Sequence, residues 1–315
     1  MQSSAAGTSS HSSPRRVLEA LRPAVVGHDE ALAHVVAALL AGGHILLEDV
    51  PGVGKTLIAR TLAQVVGGEF KRVQSSPDLM PSDITGTHVF QPVEGTFRFM
   101  PGPVFANILL ADEINRASPR TQAALLEAME EGAVTVDGIR HPLPRPFLVV
   151  ATQNPVEFQG TFPLPEAQLD RFALSLTLGY PAPEDEVRLL SGVWARQEQP
   201  ALAEPVGLET LLGWQEQVRA VHVDPSLQTY VVRVLGATRD HPRVLLGVSP
   251  RGGLVWQRLA QARALLEGRD HVVPGDLTAM APLCLNHRLV LSGRSGRAVR
   301  QEVLDDLLTA VAVPL

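Results

Sequence analysis

The sequence has little cysteine, little lysine and few aromatic residues. These scarcities exclude some kinds of site and limit what the core can be made of. A single cysteine, Cys284, excludes an intrachain disulfide framework and a zinc site built from several cysteines. It lies in an apolar stretch, which is typical of a small core residue and not of a nucleophile. Aromatic residues make up 4% of the 315 residues, so the core must be mainly aliphatic. Lys55 and Lys71 stand against 25 arginines, a bias that the codon composition of the source genome explains most simply.

A strong positive charge and a long apolar span are also missing. The net charge of −6 argues against a protein that coats nucleic acid. Residues 1–13 lack the basic and apolar regions of a secretory signal and predict a flexible tail. The uncharged stretch Ala31–Leu47 is shorter than the ~20 residues that a bilayer requires, and its break at Gly42 predicts a buried helix over Glu30–Ala41. We therefore expect no membrane insertion and a cytoplasmic location.

Short apolar runs alternate with helical patterns over the first 180 residues. Most of these runs are apolar on both faces, which is typical of a parallel sheet covered by helices. The predicted strands are Ile45–Leu47, Phe70–Gln74, Ile108–Ala111, Phe147–Ala151 and Phe172–Leu178. After Pro181-Ala182-Pro183 the apolar periodicity becomes helical. The sequence thus predicts an α/β domain over residues 14–180 and a smaller helical domain over residues 181–315.

Two segments interrupt this alternation. Thr87–Phe99 contains a turn at Gly95 between stretches that favour strands, and Ala133–Arg140 carries the hairpin turn signal Asp137-Gly138. Both segments predict β-hairpins inserted into the α/β frame. They are either loops without a function of their own or elements that contact a partner.

A glycine loop follows the first predicted strand. It reads Asp49-Val50-Pro51-Gly52-Val53-Gly54-Lys55-Thr56 and leads into the apolar helix Leu57–Val66. A glycine loop between a strand and a helix lets backbone N–H groups approach phosphate oxygens, and the helix N-terminus adds partial positive charge. Lys55 would reach the β- and γ-phosphates of a nucleotide and Thr56 would bind Mg²⁺. The first glycine of the usual eight-residue pattern is replaced here by Asp49.

Two adjacent carboxylates end the third predicted strand. Asp112 and Glu113 follow the apolar run Ile108–Ala111, and carboxylates at that edge of an open α/β sheet lie beside the phosphate loop. Asp112 can hold Mg²⁺ through water, while Glu113 can polarise an attacking water. Adjacent acids favour hydrolysis over simple nucleotide binding.

One polar residue and two arginines complete the candidate site. Asn154 follows the fourth strand, where it can place the attacking water, although an Asn-Pro pair also starts turns. Arg171 precedes the fifth strand. It is either a surface charge or a residue that one subunit of a ring presents to the site of the neighbouring subunit. Arg251 opens a helix, where its charge opposes the helix dipole and calls for an anionic partner; a salt bridge with a nearby acid would meet the same need.

Three long segments of the chain resemble the MoxR family of AAA+ ATPases. They are LLEDVPGVGKT, LADEINRASPRTQAALLEAMEE and VATQNPVEFQGTFPLPEAQLDRF, beginning at Leu46, Leu110 and Val150. The resemblance implies a parallel five-stranded sheet core with a C-terminal helical lid domain. It also implies ATP and Mg²⁺ as cofactors, and an Asp or Gly is usual in the family at the position of Asp49. The two predicted hairpins match inserts of the wider clade.

The resemblance assigns roles to individual residues. Lys55 and Thr56 belong to Walker A, Asp112 and Glu113 to Walker B, Asn154 to sensor 1, Arg171 to the arginine finger and Arg251 to sensor 2. Glu113, Asn154 and Arg171 are the expected catalytic residues, and Thr56 and Asp112 the expected Mg²⁺ ligands. The expected nucleotide-binding residues are Gly27, His28, Gly52, Val53, Gly54, Lys55, Thr56, Leu57, Asp112 and Arg251, with Gly27 and His28 on the adenine side.

The resemblance implies a ring of identical subunits, expected to be a hexamer, that remodels a protein client in the manner of a chaperone. A partner with a von Willebrand factor A domain and a role in complex assembly or metal insertion are also expected. The ATPase subunit of a chelatase-like complex is an alternative with the same motifs. A DNA-processing motor is disfavoured by the acidic balance and by hairpins with only Arg98 and Arg140 as basic side chains. A scaffold without turnover is disfavoured by the intact set Glu113, Asn154 and Arg171.

Overall fold

A sheet of five parallel strands forms the centre of the molecule. The computed structural model describes residues 13–154, 160–191, 204–293 and 296–314, so the predicted tail over residues 1–13 lies outside the described residues except for Ser13. The strands of the chain are β1 (His44–Glu48), β2 (Phe70–Gln74), β3 (Gly86–Gln91), β4 (Thr96–Pro101), β5 (Ile108–Asp112), β6 (Ala133–Val136), β7 (Ile139–Pro142), β8 (Leu148–Gln153), β9 (Phe172–Leu176), β10 (Val244–Leu246) and β11 (Val290–Leu291). The central sheet has the order β2-β5-β8-β1-β9, with every neighbouring pair parallel. The predicted fold class is confirmed.

Several helices of the α/β part end where the sequence supplies glycine. The helices of the chain are α1 (Arg15–Leu21), α2 (Asp29–Ala41), α3 (Lys55–Val66), α4 (Pro81–Thr85), α5 (Pro119–Glu131), α6 (Glu166–Leu169), α7 (Pro183–Leu190), α8 (Leu208–Ala220), α9 (Pro225–Asp240), α10 (Pro250–Leu266), α11 (Pro274–Leu285) and α12 (Arg297–Ala310). Gly42, Gly67 and Gly132 stop α2, α3 and α5 with left-handed φ values of 69°, 71° and 57°. Among the residues that the structure describes, no helix is long and apolar enough to cross a membrane.

The central sheet is covered on both faces. Ile45 and Leu47 of β1 point into a core that includes α2, α3 and the C-terminal helices, whereas Leu46 points into a second core against α5. The first core is continuous between the α/β part and the C-terminal part, because α10 packs against α2. Cys284 is fully buried in it, as a small core residue. The division near residue 180 stays a prediction, with β9 ending at Leu176 and α7 beginning at Pro183.

The two predicted hairpins are present and contact each other. The first consists of β3 and β4 and the second of β6 and β7, both antiparallel. His88 Nδ1 of the first lies 2.7 Å from Asp137 Oδ2 of the second. The rings of Phe99 and His141 stack with their centroids 3.9 Å apart. Because polar and aromatic contacts join them, the hairpins form one structural unit on the edge of the α/β core.

His44 is buried as a neutral imidazole at the start of β1. Its Nδ1 accepts a hydrogen bond from the backbone N–H of Val149 at 3.0 Å, so Nε2 carries the proton that it donates to the Met129 carbonyl at 3.1 Å. Burial lowers the pKa of His44 to about 4. Burial also lowers the pKa of His287, with the charge of Arg288 acting in the same direction.

These histidines predict a loss of stability in mild acid. The unfolded chain takes up a proton at His44 near pH 6.5, whereas the folded chain resists it until about pH 4. The stabilisation is therefore complete above pH 6.5 and is lost as the pH falls toward 4, which for His44 amounts to about 2 kcal/mol at pH 5. Chemical denaturation at pH 8 and pH 5 measures this loss. His44→Asn retains an acceptor for Val149 but does not titrate, so its loss should be smaller; an equal loss in both proteins would contradict the assignment.

Candidate functional site

The glycine loop connects the end of β1 to the start of α3. Gly52 and Gly54 have φ values of 91° and 94°, a left-handed backbone that side chains with a Cβ rarely adopt. No residue that the structure describes lies within 4 Å of where a Cβ would stand at either glycine, so these residues leave the space above the loop open. Lys55 begins α3, and its Nζ donates to the carbonyls of Asp49 and Val50 at 2.8 and 3.1 Å. The loop therefore has the shape of a phosphate cradle.

Asp49 has a structural role in this loop. Its carboxylate is buried and accepts hydrogen bonds from the backbone N–H groups of Val50 at 3.1 Å and Gly179 at 3.0 Å. The backbone of Asp49 is not left-handed, so the position does not require glycine. The aspartate instead ties the loop to the segment after β9, which explains why it can replace the first glycine of the pattern.

The two acids at the end of β5 are fixed by Thr152 of β8. The Thr152 hydroxyl donates to Asp112 Oδ1 at 2.6 Å and accepts from the Glu113 N–H at 2.8 Å. Glu113 has a left-handed backbone with φ 55° and ψ 48°, a strained conformation that is frequent at functional sites. Sequence reasoning gave Thr152 no role; a hydroxyl two residues before Asn154, at the end of a predicted strand, was the available signal.

Strand β2 supplies two further side chains that sequence reasoning missed. Arg72 Nη2 donates to Asp112 Oδ2 at 2.7 Å, and Gln74 Nε2 donates to Glu113 Oε2 at 2.9 Å. Arg116 Nη1 also lies 3.2 Å from Glu113 Oε2. Arg72 and Gln74 are two residues apart and face the same side of the strand, which was the signal that could have found them. Both carboxylates are thus held by donors from the chain itself.

Two adjoining cavities place most of the predicted nucleotide-binding residues together. The first measures about 510 Å³ and is lined by Pro51, Gly52, Gly54, Lys55, Thr56, Leu57, Arg72, Gln74, Asp112, Glu113 and Asn154. The second measures about 500 Å³, is mainly apolar, and includes Val25, His28, Val53, Leu57, Tyr180 and Leu190. They share Gly52, Gly54 and Leu57. One side of the combined space is polar with acids and a lysine, and the other suits a flat apolar ring.

His28 lines the apolar end of this space, and Gly27 precedes it in the chain without lining either cavity. Burial lowers the pKa of His28, although the nearby charges of Asp49 and Asp185 act in the opposite direction. Gly27 has φ 83°, and a Cβ there would stand 3.0 Å from Asp185 Oδ2 and 3.1 Å from the Pro181 Cβ. Glycine is therefore required where the chain entering α2 meets the segment that begins α7.

Arg171 and Arg251 lie together, away from both cavities. Arg171 immediately precedes β9, and Arg251 is in the first turn of α10. With Glu130, Asp170 and other residues they line a cavity of about 180 Å³ next to the start of β1. The glycine loop follows the other end of β1, about 17 Å away for a five-residue strand. Arg251, predicted to bind nucleotide, has an acid as its partner here: its Nη1 lies 2.5 Å from Glu130 Oε1.

The sequence and the fold both match known proteins. Residues 44–174 match the family described as the ATPase family associated with various cellular activities (AAA), and residues 236–312 match the AAA lid domain. Chaperone MoxR1 of Mycobacterium tuberculosis is 43% identical, with 96% of this chain and 83% of that protein covered. Protein YeaC of Bacillus subtilis is 47% identical, with 95% and 94% covered. A solved structure of a candidate ATPase from Cytophaga hutchinsonii is 36% identical, with a TM-score of 0.83 and 92% and 93% covered.

Proposed function

The chain belongs to the MoxR family of AAA+ ATPases and is an ATP hydrolase, and we propose that it hydrolyses ATP as a ring of identical subunits that remodels a protein client. The observation that carries the proposal is the separation of Arg171 and Arg251 from the cavity that contains Lys55 and Glu113. In this proposal a single chain holds both halves of an ATPase site, but at opposite ends of the parallel strands of its sheet. Head-to-tail packing would bring the halves together, and such contacts close into rings.

Within one chain, the larger cavities are the proposed site for ATP and Mg²⁺. The residues present fit this ligand: open space above two left-handed glycines, a lysine at a helix N-terminus, and a hydroxyl and a carboxylate in the same cavity. Lys55 would bind the β- and γ-phosphates, and Thr56 and Asp112 would hold Mg²⁺. When bound, the metal neutralises charge on the phosphates.

Glu113 and Asn154 have separate roles in this proposal. Glu113 would accept a proton from the attacking water, and Asn154 would orient that water. Gln74 and Arg116 both donate to Glu113 Oε2. Both donors bind Oε2 and hold the carboxylate in place, so Oε1 can accept a hydrogen bond from the attacking water.

Arg171 and Arg251 would act on the ATP of a neighbouring subunit. The Arg171 side chain is 28% exposed and that of Arg251 is 48% exposed, and both arginines line the same cavity next to the start of β1. A guanidinium binds phosphate with two parallel hydrogen bonds, and two of them can stabilise the charge that develops on the terminal phosphate. In this proposal Arg251 remains a nucleotide-binding residue, but for the ATP of the next subunit.

The hairpin of β3 and β4 is the proposed contact with the client. Several of its apolar side chains are exposed, and Val93 at its turn is 99% exposed. The exposed set is Val89, Phe90, Val93, Phe97 and Met100. Exposed apolar patches on soluble proteins mark interaction sites. A partner with a von Willebrand factor A domain, metal insertion, a hexameric ring and a cytoplasmic location stay predictions of the sequence resemblance.

The ring proposal predicts that ATPase activity per subunit rises with protein concentration and then reaches a plateau, because each complete site needs two chains. Initial rates over a hundredfold range of concentration, with sedimentation velocity at the same concentrations, measure this. ATP binding supplies the control: its cavity lies within one chain, so affinity measured by a fluorescent ATP analogue should change little. Full turnover by a demonstrated monomer would contradict the ring.

A further inference from the structure

Arg171 and Arg251 share one carboxylate in this protomer. Glu130 Oε1 lies 2.5 Å from Arg251 Nη1, and Glu130 Oε2 forms an ion pair with Arg171 Nη1. The hydrogen bond from Arg251 holds the pKa of Glu130 below its usual value, and the charges of both arginines act in the same direction. Glu130 is therefore ionised at neutral pH, and one negative charge faces two positive ones.

The second acid of this cavity is engaged by other partners. Asp170 accepts hydrogen bonds from Arg288 Nε at 2.7 Å and from Ser249 Oγ at 3.1 Å. These bonds join the segment before β9 to the C-terminal helices and fix the backbone that carries Arg171. Because Asp170 is bound to Arg288 and Ser249, Glu130 is the acid of this cavity that offsets the positive charges of Arg171 and Arg251.

The position of Glu130 lets it be displaced. It lies in the last turn of α5, and 36% of its side chain is exposed, so it can turn toward water without disturbing the core. A carboxylate and a phosphate present similar pairs of oxygens to a guanidinium, but a terminal phosphate carries roughly two negative charges against one for the carboxylate. A phosphate that reached the cavity would be the stronger partner for two arginines.

We infer that Glu130 is an internal stand-in for the terminal phosphate of ATP bound to a second copy of this chain. This inference rests on the proposed ring. In the free protomer Glu130 holds the two guanidinium groups side by side and offsets their repulsion. Only a ligand of greater negative charge displaces Glu130 from the two guanidinium groups. Assembly therefore depends on whether the neighbouring subunit holds ATP.

The test removes the charge of Glu130 and measures assembly. Glu130→Gln is compared with Glu131→Gln, each in a Glu113→Gln chain that retains ATP. Glu131 is the matched control, since it is the next residue and forms its ion pair with Arg140, at 3.6 Å, instead of with Arg171 or Arg251. Without its carboxylate, the cavity should attract phosphate more strongly. Glu130→Gln should therefore lower the protein concentration at half-assembly about fivefold with ATP, and not without it, as measured by sedimentation velocity.

Three results would overturn the inference. In the first, Glu130→Gln assembles with ATP no better than Glu131→Gln, although the parent chain assembles. In the second, the gain is equally large when Arg171 and Arg251 are both replaced by alanine, which would mean that it does not act through the arginines. In the third, the Glu113→Gln parent does not assemble with ATP at all, which overturns the proposed ring as well. The first two leave the ring proposal standing.

Discussion

Arg171→Ala is expected to retain ATP binding and to lower hydrolysis ~10³–10⁵-fold, the usual contribution of an arginine finger. The physical reason is that Lys55 would contact the phosphates from one side only in the proposed site, and the charge developing on the opposite side needs a second cation. Arg171 lies beside the start of β9 and contacts Glu130 and the Leu126 carbonyl, so the substitution removes no core volume. Single-turnover hydrolysis and binding of a fluorescent ATP analogue measure the two quantities separately.

Mixed assemblies test whether Arg171 acts between subunits. Arg171→Ala chains keep an intact ATP cavity, and Lys55→Ala chains keep the arginine, so mixing two nearly inactive proteins should restore part of the activity. Arg219→Ala is the control, because Arg219 pairs with Glu216 on α8 and should leave the rate unchanged. Failure of the mixture to recover activity, with mixed rings confirmed by mass spectrometry, would refute action between subunits.

Glu113→Gln is expected to bind ATP and to turn it over ~10²–10⁴-fold more slowly, since glutamine preserves size and accepts hydrogen bonds but cannot act as a general base. The glutamine side chain can still accept hydrogen bonds from Gln74 and Arg116. Residue 113 has a left-handed backbone with either side chain, so the substitution adds no backbone strain. Quenched-flow measurement of the chemical step separates this effect from product release.

The matched control for this substitution is Glu127→Gln. Glu127 is an exposed acid on α5 and undergoes the same change in charge, so its rate should remain near that of the parent chain. Hydrolysis by Glu113→Gln at the parental rate would mean that Glu113 is structural. The scaffold alternative would then gain support, because the strongest argument against it is an intact set of catalytic residues.

The parts of the site that follow one another in the chain were predictable from the sequence. Gly52, Gly54 and Lys55 define the loop because the left-handed turns and the helix start are local properties. The hairpin turn at Gly138 was predictable for the same reason. Four of the five strands were predictable because both their faces are apolar, whereas β2 carries Lys71, Arg72 and Gln74. Asp112 lies inside β5, and the observed β9 ends two residues earlier than expected.

Contacts between distant segments were decided by the tertiary structure. Arg72 meets Asp112 because β2 lies next to β5 with Gln74 opposite Asp112 in register, and no pattern along the chain states which strands are neighbours. Glu130 joins Arg171 and Arg251 across 41 and 121 residues of sequence. Sequence periodicity reports which face of an element is buried, whereas sheet order and domain packing set which side chains meet. The sequence by itself therefore determined the phosphate loop, the acid pair and the fold class. Only the tertiary structure decided that the two arginines lie at the opposite end of the strands from the proposed ATP cavity of their own chain.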